Sequence, residues 1–321
     1  MSAKLYPLTF KPILKDRIWG GTKLKTYLNK SINSDITGES WELSTVTNDI
    51  SVVEKGPLKG KNINELIDLY SESFLGKNVV EQFGNQFPLL FKFIDAQQDL
   101  SIQLHPNDEL AKKRHNSFGK TEMWYVMQAD ENSRIVVGFK EDSNKEEYLE
   151  NLERKSLVSI LNEIPVKKGD VFFLETGTIH AIGAGIVIAE IQQTSDVTYR
   201  VYDWDRVDAN GKGRELHTEL ALDAINYSTT ETKKDYKLVE NESINVVDCP
   251  YFKTNVILLN EDLKRSRETD AFTVLMCTEG NFDLFHEKEC YSFKMGETVL
   301  LPAVIEEIII KGKATILEIS I

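Results

Sequence analysis

Hydrophobic and polar residues alternate over short segments along most of the chain, and this alternation predicts β-strands. Residues 38–44 alternate in the way that is typical of a half-buried strand. Residues 88–96 form a largely apolar run and predict a buried strand with a lysine, Lys92, inside it. Other strands before residue 228 are predicted at 8–10, 18–21, 51–54, 121–127, 134–139, 170–174, 185–191 and 196–202.

Apolar residues follow a helical period in fewer places. After Asn64 they recur at positions 66, 67, 70, 74 and 75, and Gly76 is placed to end this helix. Further helices are predicted at 79–83, 146–152, 157–164 and 215–226. The region 228–245 contains the predicted domain boundary, and successive short strands follow it. We therefore expect a mainly β protein of barrel or sandwich type, with a small helical region and two domains, residues 1–240 and 241–321.

Composition narrows the possible functions. Hydrophobic residues make up 41% of the chain, which is sufficient for a sizeable core, and the net charge is −13. This charge argues against binding to nucleic acid or to an anionic membrane, so the positive charge for an anionic substrate must be local. The sequence shows no signal peptide and no apolar run that could cross a membrane, which predicts a cytoplasmic protein. Cys249, Cys277 and Cys290 lack Cys-x-x-Cys spacing and are predicted to be buried free thiols.

Candidate metal ligands begin in residues 101–108. Gln103 and His105 are two positions apart, so in a strand their side chains point to the same face, while Leu104 packs on the other. Pro106 lacks a backbone N–H and should end the strand there. Two adjacent polar side chains at a strand end suit a metal or a small polar ligand, although an ordinary exposed strand end has the same pattern.

Two residues further along the chain complete a possible ligand set. Glu122 follows Gly119 at the start of a predicted strand, and His180 follows a glycine-bounded strand and a tight turn. With Gln103 and His105 they offer two imidazoles, one carboxylate and one amide oxygen, and zinc can bind such ligands while keeping a position for substrate. Considered without the other three, His180 would equally fit a hydrogen-bonded core histidine.

Longer motifs extend this pattern in a fixed order. They are Trp19-Gly20-Gly21 and the segments 91–96, 101–108, 119–125, 177–181 and 192–206. On these motifs the chain resembles the class I mannose-6-phosphate isomerases of the short bacterial kind. The resemblance implies two cupin-type β-barrel (jelly-roll) domains with a small helical region, the first domain carrying the metal site. It also implies reversible interconversion of mannose 6-phosphate and fructose 6-phosphate through an enediol.

The resemblance also assigns roles to individual residues. It implies one Zn²⁺ per chain, held by the residues that match Gln103, His105, Glu122 and His180. The essential arginine of the family matches Arg200, its proposed base matches Glu190, and Lys120 matches a lysine that acts at the site. The candidate substrate-binding residues are Ser101, Lys120, Arg200 and Trp19. The expected partner is a small-molecule sugar phosphate, and the expected assembly is a monomer or a weak homodimer.

Aldose–ketose isomerisation moves a proton between C2 and C1, and these residue types suit that chemistry. A zinc ion can polarise a sugar oxygen, Glu190 can transfer the proton, and Arg200 can stabilise an enediolate or bind phosphate. Each side chain also has a structural alternative. Arg200 could pair with Asp203 or Asp205, and Glu190 could be a solvated carboxylate. Lys92 is expected to extend from its strand to solvent rather than to contact phosphate.

Several further residues are expected to have structural roles. These are His115, His217 and His286 at the surface or in packing, Trp124 and Tyr125 in the core, and Trp19 either in packing or beside a sugar ring. Residues 296–302 repeat the glycine-bounded pattern before His180, but Glu307 stands in place of the histidine, which predicts a second domain without a metal site. Two other classes stay open: a non-haem iron oxygenase, whose facial triad also uses two histidines and a carboxylate, and a non-catalytic cupin that binds sugar phosphate.

Overall fold

The computed structural model describes residues 3–207, 210–267 and 270–321, which form a mainly β protein, as predicted. The strands up to residue 234 are β1 (Ile13–Gly21), β2 (Thr37–Leu43), β3 (Thr45–Val46), β4 (Asp49–Ile50), β5 (Leu89–Ala96), β6 (Ile102–Leu104), β7 (Glu122–Ala129), β8 (Arg134–Phe139), β9 (Leu161–Pro165), β10 (Val171–Leu174), β11 (His180–Ile182), β12 (Ile186–Gln193), β13 (Tyr199–Tyr202) and β14 (Lys233–Lys234). The later strands are β15 (Ser243–Asp248), β16 (Lys253–Leu259), β17 (Leu263–Ser266), β18 (Thr273–His286), β19 (Glu289–Lys294), β20 (Thr298–Leu301) and β21 (Glu307–Ser320). The helices are α1 (Lys23–Thr26), α2 (Ile63–Tyr70), α3 (Glu72–Leu75), α4 (Lys77–Phe83), α5 (Asp108–His115), α6 (Lys145–Glu153), α7 (Leu157–Ile160) and α8 (Thr218–Leu222).

Two antiparallel sheets share an apolar layer in the N-terminal part. The strand order is β1-β2-β5-β12-β7-β10-β14 in the seven-stranded sheet and β13-β6-β11-β8-β9 in the five-stranded sheet. Ile94 and Ile188 of the larger sheet lie in one buried cluster with Val137 and Ile182 of the smaller sheet. The alternation of apolar residues along each strand therefore directs one face of each sheet into a common interior.

A third sheet forms the C-terminal part of the chain. Its strand order is β15-β16-β21-β18-β19, and β17 pairs with β21 while β20 pairs with β18. Phe282 and Ile316 belong to an apolar cluster within this part. A larger cluster contains Phe93 of the seven-stranded sheet, Phe74 of the helical region and Leu317 of the C-terminal sheet. The helical region thus packs against both β parts and joins them.

Two of the predicted helices are shorter than the sequence pattern indicates. The helix predicted at 157–164 is wrong in its second half, because residues 161–165 pair with β8 as a strand. Of the helix predicted at 215–226, only the five residues of α8 are helical. The helical pattern after Asn64 is confirmed in α2 and α3, but these helices are separated at Ser71, where φ is +41°.

Burial also differs from the sequence pattern in two places. Residues 38–44 are buried throughout rather than half-buried, partly because Lys30 covers Glu42 in a buried ion pair of 2.6 Å. The cysteines are unpaired, but only Cys277 is buried: Cys249 is half-buried, and Cys290 is exposed because it lies on β19 close to the turn of a hairpin. No helix in the described part of the chain is both long enough and apolar enough to cross a membrane. The division into residues 1–240 and 241–321 stays a prediction.

Gly76 should be essential where the helical region meets the C-terminal part. Its φ is +97°, and a Cβ at this position would lie 2.2 Å from the carbonyl oxygen of Asp270. Gly60 has a similar φ of +90° but no atom within 4 Å of the same position, so it is a matched control. We expect Gly60→Ala to lower the free energy of unfolding by about 1 kcal/mol, and Gly76→Ala to cost about 1–3 kcal/mol more. Chemical denaturation measures both losses, and equal losses would contradict the close approach.

Candidate metal centre and its cavity

The pairing of three short strands brings site residues into one row on the five-stranded sheet. Gln103 on β6 is opposite His180 on β11 and opposite Arg200 on β13. Residues directly opposite each other in antiparallel strands point to the same face. The side chains of Gln103, His180 and Arg200 therefore lie side by side, although Gln103 and Arg200 are far apart in the sequence.

A second row forms on the seven-stranded sheet. Glu190 on β12 is opposite Lys92 on β5 and opposite Trp124 on β7. Trp41 on β2 is opposite Lys92, which extends the row by one strand. Glu122 lies two residues before Trp124 and so points to the same face. Strand register thus places a lysine and two carboxylates together inside the molecule.

Three side chains contributed by both sheets form a buried group that could hold a metal ion. They are His105, Glu122 and His180, whose ligand atoms all lie within 4.8 Å of one another. His105 Nε2 lies 3.5 Å from Glu122 Oε2, and His180 Nε2 lies 3.3 Å from Glu122 Oε1. The exposed fraction of each residue is 2% or less. No second such group of histidine, cysteine or acidic residues occurs in the described ranges.

Hydrogen bonds to the backbone orient both imidazole rings of this group. His105 Nδ1 lies 2.8 Å from the carbonyl oxygen of Val197, and His180 Nδ1 lies 2.9 Å from that of Thr178. A carbonyl oxygen can only accept, so each Nδ1 carries the proton and each Nε2 presents a lone pair. Burial, followed by the charge of Lys120, lowers the pKa of His180 to about 3, so this ring is neutral at physiological pH.

The three acceptor atoms fit a divalent cation. His180 Nε2 and Glu122 Oε1 are buried and face each other, and neither has a hydrogen-bond partner among the described residues. A nitrogen lone pair and a carboxylate oxygen that face each other at 3.3 Å repel unless a positive charge lies between them. Two neutral imidazoles and a carboxylate are also a ligand set that transition metals bind.

Lys120 brings a positive charge to the same atoms. Its ammonium group lies 3.0 Å from His105 Nε2 and forms a close ion pair with Glu122 Oε2. It also lies 3.9 Å from Glu190 Oε1. Burial raises the pKa of Glu122, and the Lys120 ammonium opposes that rise. The sequence-predicted residue Lys120 is therefore in direct contact with two of the three candidate metal ligands.

Gln103 and Ser101 are the predicted site residues next to His180 on the five-stranded sheet. Ser101 Oγ donates to Gln103 Oε1 at 3.3 Å, and both residues line the adjoining cavity. Gln103 is the cross-strand neighbour of His180. Its side chain thus lies on the same face of the sheet as that of His180. The role of its amide oxygen as a fourth metal ligand stays a prediction.

Glu190 and Lys92 form a buried ion pair of 2.8 Å. Trp124 Nε1 donates to Glu190 Oε2 at 2.9 Å. Burial would raise the pKa of Glu190, but the ammonium groups of Lys92 and Lys120 outweigh it and lower this pKa to about 2. The alternatives of a solvated Glu190 and a solvent-directed Lys92 are therefore wrong. A lysine inside an apolar run was the sequence signal for this pair.

A cavity of about 430 Å³ opens from this group, and it is large enough for a sugar phosphate. It is lined by most of the predicted site residues, namely Trp19, Ser101, Gln103, Lys120, His180, Glu190 and Arg200. Trp124 is both buried and part of the lining, so it is more than a core residue. Sequence reasoning missed Arg17, Glu39, Trp41 and Arg214, which also line the cavity. Of these, Arg17 holds buried Glu39 through two hydrogen bonds of 3.0 Å and 2.9 Å.

Arg200 does not make the ion pairs that its sequence neighbours suggested. Its Nε donates to Ser101 Oγ at 3.3 Å, and its Nη1 donates to the carbonyl oxygen of Glu215 at 2.9 Å. Asp203 instead pairs with Arg206 and Arg214, and Asp205 pairs with Lys155. The remaining histidines have packing or surface contacts: His115 with Tyr199, His217 with the Arg200 backbone and His286 with the Glu307 carbonyl oxygen.

The mainly β fold and the buried His–Glu–His group define a metal-binding protein of the cupin class. A family model for the catalytic domain of type I phosphomannose isomerase matches residues 8–145, and one for the cupin domain of mannose-6-phosphate isomerase matches residues 242–321. The mannose-6-phosphate isomerase ManA of Bacillus subtilis is 37% identical over 312 residues, which cover 96% of each chain. The chain therefore belongs to the type I mannose-6-phosphate isomerase family.

Two further comparisons support this assignment. The mannose-6-phosphate isomerase of Streptococcus mutans is 36% identical over 306 residues, covering 94% of this chain and 93% of that one. The crystal structure of the mannose 6-phosphate isomerase from Bacillus subtilis matches with a TM-score of 0.90 at 34% identity, over 98% of this chain and 99% of that chain. Both the fold class and the enzyme class expected from the sequence are confirmed.

Replacing a ligand of the buried group should abolish tight metal binding. We expect His180→Ala to weaken zinc affinity by about 100-fold or more, because one of three converging acceptor atoms is lost. His115→Ala is the matched control, since that ring contacts Tyr199 and lies outside the group. Elemental analysis after dialysis against a zinc buffer measures the retained metal. Equal zinc content in the two variants would show that the metal binds elsewhere.

Proposed function

We propose that this protein is a zinc-dependent isomerase that interconverts mannose 6-phosphate and fructose 6-phosphate through an enediol. The observation that carries the proposal is the buried group of His105, Glu122 and His180, placed beside Lys120 and Glu190 at a cavity with several cationic side chains. Membership of the type I family over nearly the whole chain supports the same substrate pair. The cytoplasmic location and the monomeric or weakly dimeric state stay predictions.

His105, Glu122 and His180 would hold the zinc ion, with the amide oxygen of Gln103 as the proposed fourth ligand. Zinc fits this set because the imidazoles are neutral and one ligand is an anionic carboxylate. When bound, the ion supplies Lewis acidity that polarises a sugar oxygen and makes the neighbouring C–H more acidic.

Glu190 is the proposed base that accepts the proton from C2 and returns it to C1, while the hydroxyl proton passes from O2 to O1. Its pKa of about 2 keeps it ionised at neutral pH, as a base must be. The same ion pair with Lys92 weakens its basicity, so the acidity of the C2 proton must come from positive charge near the sugar oxygens. Lys120, 3.9 Å from Glu190, is the proposed residue that stabilises the enediolate and exchanges the hydroxyl proton.

The other predicted substrate contacts lie on the cavity wall. Arg200 supplies a fixed cation, and Ser101 supplies a hydroxyl bonded to the Arg200 guanidinium. We propose that these two residues hold the anionic part of the substrate during catalysis. Trp19 is 4% exposed and lines the cavity, so its ring can form a wall beside the sugar while remaining in the core.

A coupled assay for fructose 6-phosphate tests the proposed reaction. We expect turnover of mannose 6-phosphate by the zinc-loaded protein, loss of turnover after removal of metal with a chelator, and recovery when zinc is added back. Iron content together with oxygen consumption would instead favour the oxygenase class. A zinc-loaded, folded protein without turnover would contradict the proposal and favour a sugar-phosphate-binding module.

The role of Glu190 can be tested separately from metal binding. Glu190→Gln keeps the shape of the side chain and should lower kcat by about 100-fold or more, because the proton acceptor is lost. The zinc content should stay at the wild-type value. Glu163→Gln is the control, since Glu163 is a strand carboxylate that pairs with Arg134 away from the cavity. Wild-type kcat in Glu190→Gln would assign the base elsewhere.

A further inference from the structure

Two arginines that follow β13, Arg206 and Arg214, bond to one buried carboxylate. Asp203 accepts hydrogen bonds from Nε and Nη2 of Arg214, at 2.7 Å and 2.5 Å, and from Nε of Arg206 at 3.2 Å. Asp203 itself is only 5% exposed. The two parallel bonds to Arg214 fix the plane of that guanidinium group as well as its position.

Contacts of the following residues place Arg214 next to Arg200. The His217 N–H donates to the Arg200 carbonyl oxygen at 2.7 Å, and the Arg200 N–H donates to His217 Nδ1 at 3.0 Å. Arg200 Nη1 donates to the carbonyl oxygen of Glu215 at 2.9 Å. Arg200 and Arg214 both line the cavity, whereas Arg206 is not part of its lining and donates to the Asp99 carbonyl oxygen.

Among the described residues, three guanidinium groups at this end of the cavity have one ion-paired carboxylate between them, while Asp196 also lines the cavity and the charge of Glu215 also acts on Arg200. Asp203 is shared between Arg206 and Arg214, and Arg200 forms no ion pair there. Burial, followed by the charge of Arg214, lowers the pKa of Arg200, as expected when two cations lie close together. Nη2 of Arg200 and Nη1 of Arg214 make no hydrogen bond within the described residues, so both keep donors for an anion.

This positive end lies at a suitable distance from the metal-facing atoms. Arg200 and His180 lie on opposite sides of Gln103, so two strand spacings, about 10 Å, separate their backbones. A six-carbon sugar with its first two carbons at the His–Glu–His group would extend its other end towards these arginines. Two neighbouring guanidinium groups that keep donors for a ligand favour an anionic group at this end of the cavity.

We propose that Arg214 binds the phosphate group of the substrate together with Arg200, and that Asp203 is the positioning residue that holds Arg214 in place. The inference rests on the proposed sugar-phosphate substrate, and it adds a binding residue from the segment after β13 to those on the strands. Planar guanidinium groups match the oxygen atoms of a phosphate dianion, which gives the site its preference for a phosphorylated sugar.

Steady-state kinetics of Arg214→Ala tests this role. We expect the KM for mannose 6-phosphate to rise by about tenfold or more, with kcat within about threefold of wild type, because phosphate is bound alike in the ground state and the transition state. Calorimetric titration of the zinc-loaded protein with inorganic phosphate should show a similar loss of affinity. Arg214→Lys keeps the charge without the paired bonds and should give intermediate values.

Arg206→Ala is the matched control, because Arg206 also bonds to Asp203 but does not line the cavity. Its KM and phosphate affinity should stay close to wild type. An equal rise of KM in Arg206→Ala and Arg214→Ala would show that the cluster only stabilises the segment, and an unchanged KM in Arg214→Ala would also overturn the proposal. A wild-type protein without turnover would contradict the proposed function instead, while the phosphate titration would still test Arg214.

Discussion

Three buried acceptors converge in this protein, and their arrangement requires a positive charge. His105 and His180 are each locked by a backbone carbonyl so that Nε2 faces Glu122. While the rings are neutral and the carboxylate is ionised, none of the three facing atoms carries a proton that it could donate to another. A buried carboxylate is costly unless a cation pairs with it, and here Lys120 and the proposed metal both serve that need. The orientation of the rings thus leaves acceptor atoms that a metal ion could bind.

Buried carboxylates along the cavity wall are also paired with cations. Glu190 pairs with Lys92, and Glu39 pairs with Arg17, so the charges of these two cavity-lining carboxylates are compensated. Glu190 and Lys92 are directly opposite each other on neighbouring strands, which holds their geometry more firmly than a loop could, whereas Arg17 reaches Glu39 from the irregular part of β1. An apolar layer that includes Ile94 and Ile188 lies between the sheets and adjoins this polar region. The two-sheet sandwich therefore contains an apolar core and, next to it, a polar region whose charged side chains are paired.

The geometry separates two tasks within one cavity. The His–Glu–His group, Lys120 and Glu190 lie together, where proton transfer needs a base, a cation and a polarised oxygen. Arg200 lies across Gln103 from His180, and the segment after β13 adds a second guanidinium there. In the proposed reaction, strand pairing would thus set the distance between the reacting end and the anionic end of the substrate. The helical region and the C-terminal sheet contribute packing to the opposite side of the seven-stranded sheet, through residues such as Phe74 and Leu317.

The sequence alone determined the mainly β class, the family, and His105, Glu122 and His180 as candidate metal ligands. It could do so because period-two alternation and short motifs are local features. It did not determine that residues 161–165 pair as a strand, that Glu190 and Lys92 are buried partners, or that Arg200 avoids Asp203. It also gave no sign that Arg214 reaches the cavity. These features depend on which strands become neighbours and in what register. That choice is made by the packing of residues distant in the sequence, so only the tertiary structure could decide it.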